Sequence, residues 1–140
     1  MIVSRLRLWE RLCRLVGFEP VGKRVMVVVD DTGDPALSDF YDRPTMGVIH
    51  STVEEHLVFG LEQPTQQRSL CAIVHLDSPL RASGGDVHWL LAVPRHEGYG
   101  LHSLCLTFIA VNVVFIEGPE LPHGPTRWDL AAICSMKLIR

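Results

Sequence analysis

At 140 residues, with 47% hydrophobic and 21% charged side chains, the chain has the size and composition of one globular domain with a real core, which excludes general disorder. A formal charge of −3 and a pI near 6.1 give no overall attraction to phosphate backbones or anionic lipid, so neither nucleic acid nor a membrane is an expected partner. Cys13, Cys71, Cys105 and Cys134 lack both the paired spacing of zinc sites and the density of a disulfide scaffold, so they are expected to be reduced and mostly buried.

Residues 1–17 predict an amphipathic helix. Leu6, Leu8, Trp9, Leu12, Cys13, Leu15 and Val16 fall in one arc and Arg7, Glu10, Arg11 and Arg14 opposite, with Ser4 as N-cap and Gly17 as the stop. The charges in this segment break up any stretch that would serve as a secretory signal. The apolar stretch 101–116 is interrupted by His102, Ser103, Thr107 and Asn112 and is shorter than the roughly 20 residues of a spanning helix. A cytoplasmic location is therefore expected.

Residues 24–61 predict the first strands. Val25 to Val29 is β-branched, and an acidic, turn-rich loop over 30–45 separates it from strands at Met46 to His50 and Glu55 to Leu61, with a bulge or turn at Ser51 to Glu54. Residues 69–140 predict a four-strand antiparallel meander: Leu70 to Leu76, Val87 to Val93, His102 to Ile116 and Trp128 to Ile139.

Because side chains alternate along a strand, symmetric closure of each loop predicts the neighbours. Folding about residues 81 and 82 sets His75 beside His88. The next hairpin brings Trp89 to Leu106 and Leu91 to Leu104, and the last brings Ala110 to Cys134 and Asn112 to Ala132. On this register Trp89, Trp128 and the even-numbered residues from Leu104 onward turn inward. His75, His88, Thr107 and Lys137 share the other face. Ile109, Val111, Val113 and Phe115 are also too apolar to lie in water, so the helix, the first strands closing a barrel, or a second subunit must cover them. Self-association as a homodimer is the expectation drawn from this.

The residues offer little catalytic pattern. Asp30, Asp31 and Asp34 lack the ligand spacing and closing glutamate of an EF-hand, and His50, Glu54, Glu55 and His56 lack the paired-histidine spacing of zinc peptidases. His96, Glu97, Tyr99 and His102 surround a tight turn. No nucleophile elbow, phosphate loop or dinucleotide fingerprint occurs, so no cofactor and no metal are expected.

The reading is a single domain over 1–140 of α+β class, an N-terminal amphipathic helix packed on a curved, about six-stranded antiparallel sheet, open or closed as a barrel. It is expected to be a non-catalytic binding or protein-interaction module taking a protein or a small apolar ligand, with Asn112, Thr107 and Trp89 as ligand-binding candidates. The alternative is a small cofactor-independent hydrolase or isomerase using His75, His88 or His102 as acid and base.

Overall fold

A computed structural model describes residues 12, 15–56, 68–95, 100–121 and 129–139. The strands are β1 (Arg24–Asp31), β2 (Thr45–His56), β3 (Arg68–Ala82), β4 (Gly85–Pro94), β5 (Ile109–Ile116) and β6 (Ala132–Leu138). Two 3-10 helices interrupt them, η1 (Pro35–Phe40) between β1 and β2 and η2 (Leu101–Cys105) between β4 and β5. Each strand pairs antiparallel with the next, and β1 also pairs with β6, Val25 facing Leu138 and Val27 facing Met136. The sheet is thereby a closed barrel.

Alternation explains which side chains fill it. Val25, Val27 and Val29 of β1, Leu90 and Ala92 of β4, Ile109, Val111 and Val113 of β5, and Ala132, Cys134 and Met136 of β6 belong to one buried cluster with Ile49, Ala72, Val74, Leu76 and Leu80. Each fully buried aliphatic side chain of this size stabilises the fold by roughly 1.5–3 kcal/mol. A barrel of eight strands has an interior just wide enough for side chains, and this one has six. The opposite faces of β3, β4 and β5 carry a second cluster, Cys71, Ile73, Leu91, Val93 and Val114, buried on the outer wall within the chain itself.

Both ends are stoppered. At one end Leu37 of η1 is fully buried, and the connection that carries it is tied down by a polar network. The Thr32 hydroxyl donates to the Ala131 carbonyl (2.8 Å) and accepts from the Asp34 N–H (3.1 Å). The Asp34 carboxylate caps η1 by accepting from the Ala36 N–H (2.9 Å), and it also accepts from the Ser83 N–H (3.0 Å) and the Ser83 hydroxyl. Three connections are thus stitched together. At the other end η2 inserts Leu101 and Leu104, and Phe18 packs against the same core.

Several expectations are corrected. The α+β class gives way to a closed antiparallel barrel, because β1 pairs with both β2 and β6 and so closes the sheet on itself. The helix over 1–17 lies outside the described residues except for 12 and 15–17. There Gly17 takes a left-handed φ of 76°, and Leu12, Leu15 and Val16 are exposed, not packed on the sheet. The strand expected over His102 to Ile116 begins only at Ile109, since the Ser103 carbonyl accepts from the N–H groups of Leu106 and Thr107 and winds the preceding residues into η2. The two strands expected on either side of Ser51 to Glu54 are one, β2, with a bulge between Ile49 and Ser51, and residues 57–61 lie outside the description. The last strand begins at Ala132, and Trp128 also lies outside the described residues.

The neighbour pairs shift accordingly. His75 faces Trp89 rather than His88, Leu91 faces Val114 rather than Leu104, Ala110 faces Ser135 rather than Cys134, and Asn112 faces Ile133 rather than Ala132. Inward and outward are inverted along β5: the odd-numbered residues line the interior, whereas Val114 and Ile116 join Trp89 outside. Closure by the first strands is what covers Ile109, Val111 and Val113, so the apolar face that motivated a homodimer is satisfied within one chain. Among the described residues no helix is long and apolar enough to cross a membrane.

Candidate functional site

With the interior occupied, exposed chemistry lies on the wall and at the ends. One lateral row crosses five strands on the outer wall, Arg24 opposite Val48, Val48 opposite His75, His75 opposite Trp89 and Trp89 opposite Ile116. The Trp89 indole is half-buried at the margin of the outer apolar cluster. The His75 imidazole stacks on it with centroids 4.3 Å apart and planes at 23°, and His50 approaches edge-on at 5.3 Å and 82°.

Local sequence explains this convergence. His50 sits in the β2 bulge, where the extra residue breaks the alternation and lets its ring reach across β3 towards β4. Its Nδ1 is 3.1 Å from the Ser51 hydroxyl, which fixes the ring's orientation. Both imidazoles are exposed. Beside them Arg24 is ion-paired with Asp77, two residues along β3 from His75, and exposed on both sides, an arrangement that adds little stability.

The residues singled out in the sequence are dispersed. His75 and Trp89 are in contact, whereas His88 is exposed where β3 carries its extra residues against β4. His102 lies in η2, edge-on to Phe18 at 6.5 Å and at the barrel end. The three candidate acid-base histidines therefore have separate surroundings. Thr107 is partly buried in the turn after η2, and Asn112 is partly buried on the outer side of β5, opposite Val93 and Ile133. Lys137 is exposed on β6, opposite Met26 of β1, with β1 and β2 between it and His75 on β3.

Among the described residues no three His, Cys, Asp or Glu side chains are grouped to hold a metal. His96, Glu97 and Tyr99, and the side chains of Glu55 and His56, lie outside the described residues. Cys134 is structural: burial, reinforced by the nearby Asp30 carboxylate, pushes its thiol up to about 12. Asp30 itself accepts from the Ser135 hydroxyl at 2.6 Å.

His50 is the functional candidate that sequence reasoning missed as a partner of Trp89. The sequence marks it as a member of the His50, Glu54, Glu55 and His56 cluster and by its place just before the Ser51 to Glu54 junction, where a bulge is one of the two expectations. No protein-family model, no curated protein and no solved structure matches this chain.

Proposed function

We propose that this protein is a non-catalytic interaction module that engages its partner through the outer wall around Trp89. The observation that carries this reading is the indole held between His75 and His50 at the edge of the outer apolar cluster. Tryptophan dominates interface energetics when it is rigidly placed and ringed by polar groups, and here two imidazoles do the placing. The filled interior supports an external contact over an enclosed ligand.

The test is selection of displayed random peptides on the immobilised full chain, followed by affinity measurement against His50→Ala and His75→Ala. Both histidines are exposed, so these variants keep the fold. Selected peptides are expected to lose about tenfold in affinity on either variant, a loss typical of interface anchors. Peptides that bind both variants as they bind the parent, or no enrichment at all, would refute the reading.

A further inference from the structure

The wall around Trp89 holds two titratable rings on one indole. His75 stacks on it at 4.3 Å and His50 meets it edge-on at 5.3 Å, and both imidazoles are exposed. Histidine is the side chain whose charge ordinarily changes between about pH 5 and 8, so the two rings can bring two positive charges to one spot.

The charged groups that border them among the described residues come from four strands. At the start of β1 stand Lys23 and Arg24, and β3 brings Asp77, ion-paired with Arg24. From β2 come the Ser51 hydroxyl, 3.1 Å from His50 Nδ1, and the apolar Val48. Glu54 of β2 lies opposite Leu70, which packs on the interior cluster. Across from Trp89, β5 brings Ile116, with Glu117 in the bend beyond it. On β4 itself His88 is exposed next to Trp89 but makes no ring contact with it. Lys23 and Arg24 thus balance Asp77 and Glu117, and protonation of His50 and His75 leaves the surround positive by two charges.

We propose that in mild acid this wall docks an acidic segment of a partner protein, a large apolar residue flanked by Asp or Glu, and releases it as the two imidazoles lose their protons. The inference rests on the interaction reading above and adds the partner's charge and its control by pH. The apolar residue meets the indole at the margin of the outer cluster, and the carboxylates accept charge-assisted hydrogen bonds from the imidazolium N–H groups. Protonation keeps the site assembled, because an imidazolium lying on an indole face is a cation–π contact. A basic segment is repelled under the same conditions.

The experiment selects displayed random peptides on the immobilised full chain at about pH 5.5 and, separately, at about pH 8, the two sides of the histidine range. Labelled peptides from each pool are then titrated at both pH values and at low and high salt. The acid pool is expected to be rich in Asp and Glu beside a large apolar residue. Its members are expected to bind about tenfold more tightly in acid, the scale of two added exposed charge pairs, with the difference shrinking at high salt. His50→Gln with His75→Gln, uncharged at either pH, is expected to hold binding at the level the parent shows at pH 8, whereas His88→Gln keeps the full pH response. Peptides that are lost on His50→Ala and His75→Ala but bind equally at both pH values overturn this inference and leave the interaction reading standing. No enrichment at either pH overturns both. A pH response that survives the paired glutamines, or that disappears with His88→Gln alone, places the charge elsewhere and overturns the inference.

Discussion

His75 lies on Trp89 with ring centroids 4.3 Å apart and planes within 23° of parallel, a cross-strand contact between residues directly opposite in β3 and β4. Ring pairs of this kind contribute about 0.5–1.5 kcal/mol beyond the area they bury. A double-mutant cycle on His75→Ala and Trp89→Ala, followed by urea unfolding, is therefore expected to give a coupling energy in that range, with Trp89→Ala the costlier single change. Additive effects would remove the stack as a stabilising contact.

Gly47 marks a close approach between β2 and β3. A Cβ there would stand 2.7 Å from the His75 carbonyl oxygen and 2.8 Å from Val74 Cγ1, and the first of these is backbone that cannot swing aside. Gly47→Ala is expected to cost about 1–3 kcal/mol, as overpacking of a tight interior does. Unchanged stability in urea would show that the strands part easily.

Ser103 is wholly buried and its hydroxyl has no hydrogen-bond partner among the described residues. An unpaired buried hydroxyl costs about 1–3 kcal/mol, so Ser103→Ala is expected to hold stability or raise it by about 1 kcal/mol. A marked loss would instead require an internal water bridging that oxygen.

The Ser83 hydroxyl, then the Ser83 and Ala36 N–H groups, hold the Asp34 carboxyl below its ordinary value of 3.8. Because the folded value is depressed, its stabilising contribution is complete above the unfolded value and is lost as pH falls through the folded one. Asp34→Asn is therefore expected to be less stable than the parent at neutral pH and to converge with it in acid, measured by thermal unfolding across pH. A constant difference would mean that the charge of Asp34 plays no part.

Cys134 is buried with its thiol raised from 9.0 to about 12. Its neutral form is favoured in the fold, so its contribution is complete below about 9 and is lost as pH rises towards 12. At pH near 8 the native protein is expected to leave Cys134 unmodified by iodoacetamide while urea-unfolded chain is labelled, read by peptide mass spectrometry. Labelling of the native protein at the unfolded rate would contradict the burial.

What the sequence disclosed and what it hid follow from one property of strands. Hydrophobic alternation located Val25 to Val29, Leu70 to Leu76 and Val87 to Val93, all inside observed strands. It did not reveal pairing, because register depends on turns that alternation does not encode. The β3–β4 turn lies at Ser83 and Gly84, with Gly85 at a φ of 121°, and β3 carries extra residues between His75 and Leu80. The resulting slip of one residue separated His75 from Trp89 in the expected register. Between β4 and β5, η2 moved the partner of Trp89 from Leu106 to Ile116, an even step that kept it beside even-numbered residues. Whether the sheet is open or closed stays undecided in the sequence, because the pairing of β1 with β6 joins segments far apart along it.

That terminal pairing also governs how the molecule is made. During synthesis β1 is available long before β6, so the growing chain presents unsatisfied backbone groups along both rims of an incomplete sheet until β6 has emerged. Truncation of the last strand is then not a trimming of one element but a conversion of a sealed cylinder into an open ribbon prone to templating its neighbours.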